Sequence, residues 1–209
     1  MNTYDLHVHT YHSICSNNRP QDIIRIAKKR KLNGLAITDH NEIKGALQTK
    51  KINQDRNFEV IIGEEVKTPQ GEVLAYYLNT KIKPGPIEEV LDQIKKQGAI
   101  AVLAHPFAYR RDSFKADIKK IKNKIQAIEC FNARSIFPRL DKKAHQLAQK
   151  NNLAKTGGSD AHFNFEIGRG YTQFNHTLKE AIKRKQTQVK GKYLYAPLGY
   201  LKTFIRKKL

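Results

Sequence analysis

Short apolar runs alternate with stretches whose apolar residues recur at helical spacing. Thr3 to His9 reads as a first strand, followed by a polar loop from Thr10 to Arg19. Pro20 then opens a helix whose apolar face is Ile23, Ile24, Ile26 and Ala27. Leu35 to Thr38 is a second strand, entered through Asn33-Gly34, and a helix follows around Ile43 to Lys51. Phe58 to Ile62 and Glu72 to Leu78 predict a third and fourth strand, joined as a hairpin through Thr68-Pro69-Gln70-Gly71. Pro86 starts a helix to about Gln97, and Gly98 stops it. Ile100 to Ala104 is wholly apolar, as expected of a strand buried on both faces. Lys115 to Lys124 carries Ile118, Ile121 and Ile125 at helical spacing under a solvated charged face. Ala127 to Phe131, a helix over Leu140 to Gln149, Leu153 to Thr156 and a helix over Leu178 to Lys185 complete the series. About seven strands alternating with helices predict an α/β fold. No internal repeat or linker divides the chain, so one domain is expected over residues 1–189, with a basic, aromatic tail over 190–209.

Charge changes this picture. The net charge is +20 over 209 residues, and from Lys183 onward there are Lys and Arg but no Asp or Glu. Such a field draws anions: phosphorylated metabolites, nucleic acid or anionic lipid. The tail, with Tyr193, Tyr195, Tyr200 and Phe204 among its basic residues, can stack on bases, lie on lipid or dock back on the domain; docking is the expectation. No apolar stretch approaches the roughly 18–20 residues of a membrane span. The N-terminus lacks the basic-then-apolar pattern of a signal peptide, so a cytoplasmic location is expected. Two cysteines make no disulfide framework. Cys130 lies in an apolar run and reads as a buried thiol, whereas Cys15 is close enough to the first strand's histidines to be a candidate metal ligand.

Candidate chemistry gathers at the strand ends. In Asp5-Leu6-His7-Val8-His9-Thr10, strand alternation points Asp5, His7 and His9 to one face, and two imidazoles two residues apart can grip one metal ion. Thr38-Asp39-His40-Asn41, Gly63-Glu64-Glu65, Ala104-His105-Pro106 and Gly158-Ser159-Asp160-Ala161-His162 each place His, Asp or Glu just after an apolar run. In α/β barrels and open sheets, functional groups collect at the carboxyl ends of strands. Several imidazoles with two or more carboxylates suggest more than one ion, because a carboxylate can bridge. A pair of ions about 3.5–4 Å apart can clamp both oxygens of a displacement at phosphorus and lower the pKa of a bound water. The basic charge fits a phosphate ester substrate.

These five motifs, in this order, resemble the PHP (polymerase and histidinol phosphatase) family over about residues 3 to 172. The resemblance implies a distorted (β/α)7 TIM-like barrel, two or three divalent ions (zinc, manganese or iron) and phosphoesterase chemistry by metal-activated water. Family members include histidinol phosphate phosphatases, nucleoside bisphosphate phosphatases, RNA exonucleases and proofreading domains of polymerases. Carried onto this chain, one ion takes His7, His9, Glu65 and Asp160. Glu65 bridges to a second ion held also by His105, and a third position uses His40 and His162. Glu64 is expected to support the ligands or face solvent. Two departures stand out. The loop after the H-x-H-T run lacks the family's usual acidic residue or His, so Cys15 or His12 stands in or the ligand is missing. Glu72 occupies a place where some relatives have His and is a candidate oxygen ligand.

Asp5 is expected to accept a ring N–H from His7 or His9, and Asp39 to do the same near His40. Arg134, Arg110, Arg111 and Arg169 are candidate phosphate holders. His40, His162 and Asp160 are the candidate catalytic side chains, with His40, His162 or a second water as the proton donor to the leaving oxygen. His145 reads as structural and His176 as a loop residue. The reading expected is a metal-dependent phosphoesterase acting on a phosphorylated metabolite or nucleotide. The alternatives are a nuclease acting on RNA or DNA ends, a nucleic-acid-binding module with a structural metal site, and a hydrolase of C–N bonds.

Overall fold

A computed structural model describes residues 1–108 and 113–194. Arg110, Arg111 and the tail beyond residue 194 therefore lie outside the described residues. The elements run β1 (Asn2–Val8), α1 (Pro20–Lys29), β2 (Gly34–Ile37), α2 (Lys44–Ile52), β3 (Glu59–Thr68), β4 (Gly71–Tyr76), α3 (Ile87–Lys96) and β5 (Ile100–Leu103). They continue α4 (Ile118–Ile121), β6 (Ala127–Asn132), α5 (Pro138–Lys150), β7 (Ala154–Gly158), β8 (Gly170–Phe174), α6 (Leu178–Arg184) and β9 (Thr187–Gly191).

One sheet holds all nine strands in the order β7-β6-β5-β4-β3-β2-β1-β8-β9. β1, β2 and β3 run parallel, as do β5, β6 and β7. β4 is antiparallel to both its neighbours, which is the distortion in an otherwise α/β barrel. The sheet curls until the chain leaving β7 comes round to β1. Ala161, just past β7, accepts the N–H of His9 at 3.0 Å, and its own N–H reaches the His7 carbonyl at 3.3 Å. The result is a nearly closed, distorted TIM-like barrel. Inside it, buried Tyr76 donates its hydroxyl to the Leu6 carbonyl at 3.0 Å. Outside it, Val90, Leu91 and Ile94 of α3 pack with Val73, Ala75, Ala101 and Leu103 of the sheet. No helix among the described residues is long and apolar enough to cross a membrane.

Three features depart from the expectation. β3 does not end at Ile62. Pairing with β2 stops at Ile37↔Ile62, but the antiparallel partner β4 carries the strand on through Gly63↔Tyr76 to Thr68↔Gly71. Glu64 and Glu65 are thus strand residues on opposite faces rather than loop residues. The Lys-rich helix is a single turn, Ile118–Ile121, capped by the Asp117 side chain. β8 and β9 were not expected at all. In β8 the inward positions are Gly170, Thr172 and Phe174, and β9 is mostly exposed, so neither shows an apolar alternation.

Candidate metal centre

Glu65 stands at the centre of the barrel mouth, 1% exposed. Its Oε1 lies 3.4 Å from His7 Nε2 and 3.0 Å from His105 Nε2. Its Oε2 lies 3.4 Å from His9 Nε2 and 2.9 Å from His40 Nδ1. Asp160 closes the other side, its Oδ1 3.2 Å from His9 Nε2 and 3.6 Å from His7 Nε2. His162 lies against His9, with ring centroids 4.3 Å apart and the planes tilted by 37°. One ligand atom each from His7, His9 and Glu65 lie within 4.8 Å of one another; the same holds for His9, His40 and His162, and for His40, Glu65 and Glu72.

Each strand delivers its side chain for a local reason. His7 and His9 share the inner face of the end of β1 by strand alternation. Asp160 and His162 follow β7 through a left-handed Asp160 (φ 54°) that turns both side chains inward. The Asn17 N–H donates to the His162 carbonyl, and the single Ser16 hydroxyl proton has the carbonyls of His9 at 3.0 Å and His162 at 3.1 Å within reach, tying the loop after β1 to both residues.

The protons on these rings are placed by their partners. Ser13 has one hydroxyl proton, and it goes to Asp39 Oδ1 at 2.7 Å. Ser13 Oγ can then only accept from His9 Nδ1 at 3.2 Å, so His9 carries its proton on Nδ1. His162 Nδ1 donates to the Asp160 carbonyl at 2.8 Å. Both rings therefore turn Nε2 away from its anchor with the lone pair free. The Nε2 atoms of His7 and His9 are buried and make no hydrogen bond. Such atoms are costly to leave unpaired in a protein interior, and a cation at the mouth is what would satisfy them.

Electrostatics agree. Burial works against ionisation of Glu65, but the imidazoles of His7 and His40 outweigh it and hold the carboxyl well below its usual range. Burial likewise opposes Asp160, and the charge of His7 with the close approach of the His9 ring outweighs it, so it too stays ionised. His162 is driven well below its ordinary value by burial and by His9 and Arg134 beside it, which keeps it neutral. Burial opposes charging of His7, His40 and His105, but the carboxylates of Glu129, Glu65 and Asp160 around them outweigh it: His7 and His40 are raised well above their ordinary value and His105 to about 10. The cage therefore holds positive charge as protons, which a cation would displace, since metal binds neutral imidazole and ionised carboxylate.

A family profile for the PHP domain matches residues 5–195. This chain belongs to the PHP domain family. It is 36% identical over 179 residues to the uncharacterized protein MJ0417 of Methanocaldococcus jannaschii, covering 82% of this chain and 70% of that one. Among solved structures, it superposes with a TM-score of 0.78 and 17% identity on a two-domain protein from Bacteroides vulgatus containing a predicted PHP-like metal-dependent phosphoesterase. That match covers 91% of this chain but only 65% of the other. PsfC from Pseudomonas syringae matches with a TM-score of 0.72 and 18% identity, over 100% of this chain and 99% of that one.

Within this PHP barrel, all seven expected ligands, His7, His9, His40, Glu65, His105, Asp160 and His162, meet at one mouth. Glu72 joins them, with Oε2 3.7 Å from His105 Nε2. Cys15 is 1% exposed and near enough to help raise the pKa of His40, on the edge of the cluster. His12 points elsewhere, its Nε2 3.2 Å from Gln48 Oε1.

Other expectations need correction. Asp5 meets no ring. Its oxygens accept from the Ser159 hydroxyl and N–H, the Gly168 N–H at 2.7 Å and the His7 backbone N–H at 3.3 Å. It sits one layer deeper than the imidazoles and ties β1 to the loops around β7 and β8. Asp39 serves His9 through Ser13, and meets the Thr10 N–H and hydroxyl besides, rather than meeting the His40 ring. Glu64 neither supports a ligand nor faces solvent. It is buried behind the sheet, accepting the Ile82 N–H at 2.9 Å, and burial pushes its carboxyl up to about 7.

Arg134 is 5% exposed, its Nη1 3.8 Å from Glu166 Oε2 and its charge felt by Asp160 and His162. Arg169 lines a groove with Phe131, Tyr171 and Val189, and no cluster ligand borders that groove. His145 lies on α5, where burial and then Lys155 lower its pKa, and His176 is an exposed loop residue whose carbonyl accepts from Asn2. Sequence reasoning missed Glu129, Ser13 and Glu166. The only signal for Glu129 was a carboxylate inside the otherwise apolar run of β6.

Proposed function

We propose that this protein is a metal-dependent phosphoesterase that hydrolyses a phosphate ester at the barrel mouth. The observation that carries this reading is the pair of buried, unbonded imidazole nitrogens, His7 Nε2 and His9 Nε2, facing two ionised carboxylates. One ion would be held by His7, His9, Glu65 and Asp160, a second by Glu65 and His105 with Glu72 beside it, and a third by His40 and His162. Divalent ions in such a site supply Lewis acidity toward phosphoryl oxygens and a lowered pKa for water.

The chain's own residues would do the rest. Arg134 offers a guanidinium fork to the phosphate, held by Glu166 and placed beside Asp160 and His162. Asp160 keeps the imidazoles of His7 and His9 aligned. Where the third position holds no ion, His40, whose side chain is 33% exposed, is the imidazole of the cluster best placed to exchange a proton with a leaving oxygen. Metal analysis of the purified protein, with turnover of p-nitrophenyl phosphate and its bis ester, tests the reading. Bound transition metal and turnover lost in His7→Ala and Asp160→Ala are expected. Metal-free protein, or activity indifferent to both changes, sinks it.

A second reading, a nuclease acting on RNA or DNA ends, has one observation in its favour. The Leu194 N–H is bonded to the Ala133 carbonyl at 2.8 Å, so the described chain reaches the residue next to Arg134.

A further inference from the structure

The Glu129 carboxylate is 2% exposed and belongs to no step above. Its Oε1 accepts from His7 Nδ1 at 2.9 Å, across 122 residues of sequence. Its Oε2 accepts the backbone N–H of His105 at 2.9 Å and lies 3.4 Å from Asn132 Nδ2. Asn132 Nδ2 in turn reaches Asp160 Oδ2 at 3.4 Å. One carboxylate on β6 is thereby connected to proposed ligands on β1, after β5 and after β7.

We propose that Glu129 is a positioning residue that prepares His7 and His105 together for the cation, an inference that rests on the metal-centre reading above. A carboxylate that takes the His105 N–H on one oxygen and faces His7 Nδ1 with the other accepts from both, so a neutral His7 ring keeps its proton on Nδ1. The Nε2 lone pair is then left facing Glu65 and Asp160. A carboxylate behind a ligating imidazole fixes ring and tautomer and raises the ring's basicity. The second oxygen acts on backbone. His105 has a positive φ of 20°, rare for a residue with a side chain, and capture of its N–H by Glu129 holds the turn that sends its ring toward Glu65. His7, His105 and Glu129 also bring one ligand atom each within 4.8 Å of one another, but the hydrogen bonds assign Glu129 a supporting place rather than a ligand's. Oε1 is taken by His7, Oε2 by His105, and the His7 nitrogen it meets is the one facing away from Glu65.

Glu129→Gln keeps the size and breaks this pattern. A glutamine amide has one acceptor atom and one donor atom. If its NH2 faces His7, the ring proton must move to Nε2 and the lone pair is lost; if it faces His105, donor opposes donor. The test titrates metal-free protein with Mn2+ and with Zn2+ by calorimetry and reads the His7 tautomer by long-range 15N NMR. Expected are affinity about 10- to 100-fold weaker for at least one ion and a His7 signal of the Nδ1–H form in wild type that changes in the variant. Glu129→Asp, which keeps both acceptors on a shorter arm, should fall between the two.

Unchanged affinity in Glu129→Gln overturns the proposal while leaving the metal centre intact. So does an anomalous map with an ion bonded to a Glu129 oxygen. A wild-type protein that takes up no ion overturns both readings. Should the variant fail to fold, the wild-type ring decides alone: a His7 that carries no proton on Nδ1 in metal-free protein refutes the role.

Discussion

A β-carbon on Gly158 would lie 2.5 Å from the Cβ of His7 and 2.6 Å from its backbone nitrogen. The glycine ahead of Ser159-Asp160 is therefore a packing requirement of the site: β7 must lie flat against the strand that carries His7. Gly158→Ala should displace that strand by several tenths of an ångström, lower stability by about 1–3 kcal/mol and weaken ion binding. Urea melts and metal titration check both. Asp141 gives a prediction away from the ligands. Burial raises its pKa from 3.8 to about 7, against hydrogen bonds from Tyr193 and the Asn132 N–H. A raised carboxyl favours the folded state only while protonated. Its contribution is full below pH 3.8 and is lost as pH rises through about 7, at up to about 1.4 kcal/mol per pH unit between. Asp141→Asn should remove this slope, so its stability relative to wild type should improve from pH 5 to pH 8. A constant difference across that range would rule the assignment out. The ligands themselves were legible because strand parity and strand ends announce them. Glu129 and Ser13 were not, because their meaning lies in partners: one is 122 residues away and the other acts through Asp39.

At the scale of elements, apolar alternation found each strand that packs both faces and missed the two that do not. β8 is held by more than packing. Thr172 Oγ1 accepts the Gly157 N–H at 2.8 Å and donates to the Gly157 carbonyl at 2.9 Å, bridging β8 to β7. Nothing in Gly-Tyr-Thr-Gln-Phe announces this, because a threonine that closes a seam looks like one on a surface. Thr172→Val keeps the shape and strands a buried N–H, so a loss of about 1–3 kcal/mol is expected. Gly157 should gain amide exchange at the same time. A variant as stable as wild type would mean that the seam is held by the apolar contacts alone. The hairpin between β3 and β4 is the opposite case. Its Pro-Gln-Gly turn was plain, but the six extra paired residues that pull Glu65 into the strand depend on β4 being long enough to reach them.

For the whole molecule, the charge of +20 is the property that the barrel does not need and the substrate could use. The two substrate readings part here. A small phosphorylated metabolite meets only the cations at the mouth, so its binding should weaken modestly with salt. A single strand lying along the surface releases condensed counterions at each neutralised phosphate, and log affinity then falls with log salt by about 0.7 per contact. Lys192 and Leu194 are bonded to Arg169 and Ala133, so the chain beyond Leu194 starts beside Arg134 whatever shape it takes. That segment carries Lys202, Arg206, Lys207 and Lys208 and no acidic residue. Under the nuclease reading, a chain ending at Leu194 should bind a short single-stranded oligonucleotide more weakly and with a shallower salt slope, by up to about 0.7 for each cation removed. Its turnover of p-nitrophenyl phosphate should not change, because no ligand is touched. Fluorescence anisotropy over a salt series, in a metal-chelated buffer that prevents cleavage, measures both slopes. Identical slopes would place the tail off the nucleic-acid path and leave the small phosphate ester as the substrate.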